Sequence, residues 1–157
     1  MRWIALLLWF GICFAVAAIS SWWTANEITG WYRELAKPAI APPNRVFGPV
    51  WTCLYVLMAI AAWLVWLSAA SPLRTWGLVL FLAQLGLNLA WSWLFFREHE
   101  IGTALLDVIL LWAAIGSTIA VFSLVAPLAA GLMVPYWAWV TFATVLNAAF
   151  WRMNPAA

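Results

Sequence analysis

Apolar residues fill this chain in five long runs, at about 3–23, 46–68, 75–96, 101–123 and 130–151. Each is close to the roughly 20 residues that a helix needs to cross about 30 Å of hydrocarbon. The runs are far too long for barrel strands, and in lipid a backbone N–H or C=O finds its partner only within a helix. The pattern therefore predicts an all-α integral membrane protein, with five transmembrane helices bundled as a single domain over 1–157. Short breaks separate most spans: Ser71-Pro72, Arg97-Glu98-His99-Glu100, an uncharged turn at Pro127, and Asn154-Pro155 as the final stop. The exception is a long polar loop at about 24–45. Around it the stretch Trp31–Tyr55 collects Pro38, Pro42, Pro43 and Pro49 with Arg33, Lys37 and Arg45. Pro49 is expected in the first turn of the second span, where its missing N–H costs nothing. Arg2 and the AVAAIS stretch mimic a signal peptide, but such apolar cores are shorter, about 7–15 residues, so the first run reads as a span. Gly11 and Ala15 give it a face for close helix packing.

Polar side chains interrupt the spans, and such groups face a partner helix or a cavity because lipid cannot solvate them. Counted from the loop end at 1.5 Å per residue, Asn147 lies about 6 Å deep, Trp51 about 8, Asp107 about 9 and Asn88 about 12. Gln84 and Trp139 reach about 18 Å on the same count. The other half of the bilayer meets almost purely apolar helix. Phase agrees with depth: Gln84, Asn88, Trp91 and Phe95 share one quarter of the third span. Trp51 and Tyr55 share a stripe, as do Trp139, Ala143 and Leu146. An aromatic pocket with a few directed polar groups suits a flat aromatic ligand, held by stacking. The loop would be its lid, stiffened by Pro42-Pro43, with Arg33, Lys37 and Arg45 placed to meet anionic groups. The competing reading is interhelical hydrogen bonding, which has the stronger claim on Asp107 and Asn147 near the interface. On the far side of the third span, Ala83, Gly86 and Ala90 offer a small-residue seam for a homodimer.

Composition narrows the classes. At 68% hydrophobic and 8% charged residues, the chain cannot build the polar shell of a soluble domain. Net charge +2, with no Lys/Arg cluster, gives nucleic acid no footprint. Many of the 15 tryptophans fit an interfacial belt. Cys13 and Cys53 read as small buried hydrophobes. Arg33, Lys37, Arg45, Arg97 and Arg152 fall on one face and Arg2 and Arg74 on the other, which places the long loop and the C-terminus in the cytoplasm. His99 reads as part of a solvated turn without the further ligands a metal needs. No phosphate loop, paired acid/base carboxylates or nucleophile–base pair occurs, and a lipid-embedded Cys53 thiol is unreactive.

Four stretches carry a family resemblance. The first is Trp31-Tyr32-x2-Leu35-x-Lys37-Pro38-x3-Pro42-Pro43-x3-Phe47-x-Pro49-Val50-Trp51-Thr52-x-Leu54-Tyr55. Gln84-Leu85-x-Leu87-Asn88-x2-Trp91-Ser92-x2-Phe95-Phe96 follows, then Ala104-x2-Asp107. The last span adds Val134-Pro135-Tyr136-x2-Trp139-x2-Phe142-Ala143-Thr144-x-Leu146-Asn147. Together they resemble a bacterial member of the tryptophan-rich sensory protein/translocator protein family, TspO/MBR. The resemblance implies a dimeric five-helix bundle that binds porphyrins (protoporphyrin IX or haem) and isoquinoline-type ligands beneath the first loop. The porphyrin would be a ligand, with no cofactor required. The family's pocket positions fall at Trp51, Asn88, Trp139 and Ala143. With the phase reading, the candidate set becomes Trp31, Tyr32, Pro42, Pro43, Trp51, Tyr55, Gln84, Asn88, Trp91, Phe95, Tyr136, Trp139, Phe142, Ala143 and Leu146.

The implied function is a membrane receptor or sensor of porphyrins that transports or regulates them. Light-dependent porphyrin degradation using Trp51 and Trp139 is the alternative, and a structural partner of other membrane proteins is a second. A bacterial cell membrane is the expected location, with the outer membrane as the other choice. Two departures stand out. Ala39-Ile40-Ala41 occupies a position where the family has a lid aromatic, and Ala148 stands where its cholesterol segment has a tyrosine. Cholesterol is therefore not an expected partner.

Overall fold

The computed structural model describes residues 2–155, all helix and connecting turn. Five helices are long and apolar enough to cross a membrane. In chain order they are α1 (Arg2–Glu27), α3 (Asn44–Leu67), α4 (Pro72–Ser92, continued by a π-helical turn at Trp93–Arg97), α5 (Ile101–Val125) and α6 (Pro127–Met153). A one-turn helix, α2 (Trp31–Glu34), lies in the long loop. The spans close into a ring: α1 packs on α3, α3 on α6, α6 on α5, α5 on α4, and α4 returns to α1. Because the chain reverses at each connection, four of these seams are antiparallel. The α1–α4 seam is parallel, and it is looser than the α4–α5 and α5–α6 seams.

The spans run longer than the hydropathy pattern predicts. No proline falls before Pro38 and no glycine between Gly11 and Gly30, so α1 continues past residue 23 to Glu27. The loop shrinks to residues 28–43, and α2 takes up part of that. At the other end Pro43 is already the N-cap of α3, with φ −57° and ψ 139°. This moves Pro49 from the first turn into the helix interior, where its ring leaves the Arg45 carbonyl without an intrahelical donor. Pro135 does the same inside α6. On the face away from the loop, the Ser71 hydroxyl caps α4 by accepting the Arg74 N–H at 3.2 Å. Arg74 also donates to the Ser68 carbonyl at 3.0 Å and lies over the Trp66 ring.

Packing divides into two clusters. The larger, in the half away from the loop, gathers fully buried Met58, Ala59, Ala62, Phe81, Ile115 and Met133. Its alanines let α3 approach its neighbours closely, which matters where lipid removes the hydrophobic drive and leaves packing to hold helices together. The smaller cluster lies under the loop, around Tyr32, Leu35, Phe95, Ile101, Leu146 and Phe150. Small residues do not all serve intrachain packing. Gly11 and Ala15 are exposed, as are Ala83 and Gly86, and a Cβ at Gly11 or Gly86 would meet nothing within 4 Å. Cys13 is buried as expected, but Cys53 is exposed on the lipid side of α3.

Gly77 is different: a Cβ there would stand 3.2 Å from the Phe122 ring and from Val121. Gly77→Leu is expected to destabilise the bundle by about 1–3 kcal/mol through overpacking. Gly86→Leu has no such neighbour and should leave thermal unfolding of the monomer in detergent unchanged. Equal losses would show that the α4–α5 contact at Gly77 does not set the cost.

Candidate ligand-binding site

The polar groups of the spans meet in the centre of the bundle. Tyr55 on α3 donates to Asn88 Oδ1 on α4 at 2.7 Å. Asn88 Nδ2 donates to the Tyr136 hydroxyl of α6 at 3.0 Å, and Tyr136 donates to Gln84 Oε1 at 2.9 Å. All four residues are at most 2% exposed, and Gln84 Nε2 alone has no partner. Each group needs this chain, since an unpaired buried polar atom costs about 1–3 kcal/mol. Asn147 makes a second tie, accepting from Trp91 Nε1 at 3.0 Å and donating to the Ile101 carbonyl at 2.9 Å. Asn147 is therefore interhelical glue that also fixes the Trp91 ring. Asp107 is buried with one carboxylate oxygen unpartnered, and it lines neither of the spaces described next.

Above the network two spaces open beneath the loop. A cleft of about 30 Å³ lies toward α6, lined by Trp139, Phe142, Ala143, Leu146, Asn147 and Phe150 with Phe95 of the π turn. A chamber of about 280 Å³ lies toward α1, between Ser20, Thr24, Thr52, Tyr55, Asn88 and Ser92. Tyr32, Phe47, Trp51, Trp91 and Phe96 belong to both and form the partition. No charged side chain lines either space. Trp51 stands over the network, 5.7 Å from Tyr55 and 6.2 Å from Tyr136 between ring centroids. Trp139 packs against Phe47 and Phe142.

The phase reading thus brings Trp51, Tyr55, Asn88, Trp91, Phe95, Trp139, Phe142, Ala143 and Leu146 to the cavity walls. Gln84 and Tyr136 sit below, as anchors of the floor. Trp31, Pro42 and Pro43 line neither space. Pro43 starts α3, and Trp31 braces the lid from outside, edge-on to Phe95 at 5.9 Å. Two contributors escape a sequence reading. The π turn bonds Glu98 N–H to the Trp93 carbonyl and Glu100 N–H to Leu94, so an extra residue swings Phe96 into the site beside Phe95. The α1 wall comes from a run of small hydroxyl residues, Ser20, Ser21 and Thr24, whose only signal is their place at the loop end of an apolar helix.

The lid is pinned at both ends. Asn154, after α6, grips the backbone of Ala36 twice: Ala36 N–H donates to Oδ1 at 2.9 Å, and Nδ2 donates to the Ala36 carbonyl at 3.1 Å. His99, expected in a solvated turn, instead stacks on Trp31 at 4.1 Å and hydrogen-bonds Glu27 at 3.1 Å. Its φ of 61° is a left-handed conformation that ends the π turn where glycine is usual. Tyr32 projects from α2 into the partition with Lys37 over its ring at 5.0 Å, and burial raises the pKa of its phenol, which stays a neutral donor. Ile40, in the segment lacking the expected aromatic, is exposed.

With this geometry in place the comparisons decide the family. The model of the TspO/MBR family matches residues 9–152. The chain belongs to the TspO/MBR family. It is 40% identical over 138 residues to the translocator protein of Homo sapiens, covering 87% of this chain and 82% of that one. It is 38% identical to the tryptophan-rich protein TspO of Chlorobaculum tepidum, with 97% of each chain covered. The tryptophan-rich sensory protein of Cereibacter sphaeroides is 35% identical over 98% of this chain and 94% of its own. This TspO/MBR protein is accordingly an integral, multi-pass membrane protein.

Removing Asn154 should free the lid without touching the cavity. In Asn154→Ala, trypsin cleavage after Arg33 is expected to rise by about tenfold, the equivalent of roughly 1.4 kcal/mol from the lost pair of hydrogen bonds. An unchanged cleavage rate would assign the lid's order to the Trp31–His99 stack alone.

Proposed function

We propose that this protein is a membrane receptor or sensor that binds a porphyrin, protoporphyrin IX or haem, beneath the lid and regulates or carries it. The observation that carries the reading is the uncharged, aromatic-walled chamber under a pinned loop, with Trp51 in the partition that walls it. Family membership supports the coarser role of membrane sensor or receptor. Indole and phenyl faces favour a planar π-system, while Asn88 and the hydroxyls of the wall supply a few directed polar contacts. Isoquinoline-type molecules share that chemistry. We also propose that the loop and the C-terminus face the cytoplasm of a bacterial cell, on the Lys/Arg bias. The exposed Ala83–Gly86 face is our candidate seam for a second copy.

A second reading, light-driven porphyrin degradation, is favoured by one observation: Trp51 stands within about 6 Å of two buried tyrosine rings that can replenish an electron. One experiment addresses both readings. Protoporphyrin IX titrated into purified protein should quench tryptophan fluorescence saturably, and Trp51→Phe and Asn88→Ala should each weaken binding about three- to tenfold. Unchanged affinity in both variants removes the site. Illumination of the same samples should then consume protoporphyrin faster than in the Trp51→Phe/Trp139→Phe double variant, and equal rates would leave binding alone.

A further inference from the structure

The end of the bundle away from the lid has a charge pattern of its own. Glu27, Glu34, Glu98 and Glu100 all stand at the lid end, and the remaining acid, Asp107, is buried within α5. The turns at the opposite end, at 68–71 and at Ala126, carry no acid. Arg2 and Arg74 are the charged side chains of that end, and no carboxylate there offsets them.

Two tryptophans near the end of α3 tie both arginines to one corner between α1, α3 and α4. Trp63 Nε1 donates to the Arg2 carbonyl at 3.0 Å, and its ring stacks on Trp3 at 6.2 Å. Trp66, one turn further on, lies under the Arg74 guanidinium at 5.0 Å and meets Trp9 edge-on. Arg74 Nη1 also donates to the Ser68 carbonyl at 3.0 Å, so the guanidinium is fixed at two points. One N–H of its fork is spent this way, and the others bond to no described residue. Trp3, Leu73 and Trp76 are exposed around the corner.

The position of this corner decides what can meet it. Arg2 opens α1 and Arg74 lies in the first turn of α4, so both stand where a span leaves the hydrocarbon. Tryptophan rings favour that same level, and the phosphates of the bilayer lie just outside it. A guanidinium fork matches phosphate bidentately, and one already held in place loses less freedom on binding than a free side chain. A zwitterionic headgroup fits less well: its ammonium finds no carboxylate, and the Trp66 ring that could take a cation already carries Arg74.

We propose that this corner binds an anionic phospholipid, with the free edge of the Arg74 fork on the headgroup phosphate. Arg2 adds its charge from the neighbouring helix end, and the acyl chains run down past Leu73 and Trp76. The site is separate from the cavity beneath the lid and does not depend on what that cavity holds.

The test uses delipidated full-length protein in a neutral detergent, with native mass spectrometry to follow bound lipid. Phosphatidylglycerol and phosphatidylcholine with the same acyl chains are the probes. Wild type should retain the tightest phosphatidylglycerol about tenfold better than phosphatidylcholine. Arg74→Gln should abolish that preference, and Arg74→Lys, which keeps the charge without the fork, should lose at least about threefold. Trp66→Leu removes the ring beneath the guanidinium and should also cost about threefold, which covers the case of an Arg74→Gln chain that fails to fold. Arg45→Gln removes one charge at the lid end and should leave the preference intact. Equal losses in Arg45→Gln and Arg74→Gln, an Arg74→Lys variant that binds like wild type, or equal retention of the two lipids by wild type would each overturn the proposal. Displacement of the lipid by a hundredfold excess of glycerol phosphate would make the occupant a soluble anion, and the membrane-lipid assignment would fall.

Discussion

The fold turns on one hydrogen-bonded chain, Tyr55 to Asn88 to Tyr136 to Gln84, that joins α3, α4 and α6 far from water. Packing alone holds lipid-facing helices weakly in register, because sliding one past another exposes nothing new to water. A buried amide between two phenols has only one position that satisfies it. The cavity-wall residues on α3, α4 and α6 inherit their height from that lock. Tyr55 carries Trp51 one turn above it, Asn88 carries Trp91, and Tyr136 carries Trp139 and Ala143. The site is therefore built upward from its floor, and the floor is the most specific part of the bundle.

The roof is held by different means. Its segment has too few buried apolar side chains to order itself, so partners distant in sequence order it: Asn154 acts on Ala36 across 118 positions. The Asn154 side chain presents an acceptor and a donor side by side, as a neighbouring strand would, and captures an otherwise unpaired peptide unit. The His99–Trp31 stack holds the other end, at the expense of a left-handed backbone in a residue that has a Cβ. Both fasteners lie outside the apolar spans, so they can open while the bundle stays folded.

The same physics explains what was legible in the sequence. Spans and their inward faces could be read because lipid punishes polar groups so heavily that Gln84, Asn88 and Trp91 have one sensible direction. Phase then located most of the wall from single helices. The α1 wall could not be read that way, since Ser20, Ser21 and Thr24 can satisfy their hydroxyls on their own helix and carry no directional demand. Phe96 was hidden by the π turn, which breaks the 3.6-residue period on which phase arguments rest. The Asn154 clamp and the His99 stack join segments that share no periodicity at all. Pro49 misled for a simpler reason: a proline marks a helix start only if the helix begins there, and α3 begins at Asn44.

The parallel α1–α4 seam is where these threads meet. Chain reversal gives the α4–α5 and α5–α6 seams short connections and close packing, whereas no direct connection joins α1 to α4. A seam with no turn to tighten it is the natural place for space to remain, and the larger chamber lies there. Small side chains on α1 keep that space open, and the locked aromatic faces of α3 and α4 give it a rigid opposite wall. Shape is thus fixed on one side by the hydrogen-bonded floor and left adjustable on the other by a helix whose hydroxyls make no interhelical bond. On the porphyrin reading proposed above, a residue change on the α1 wall would alter the room for a ring without breaking the tyrosine–asparagine chain that joins α3, α4 and α6.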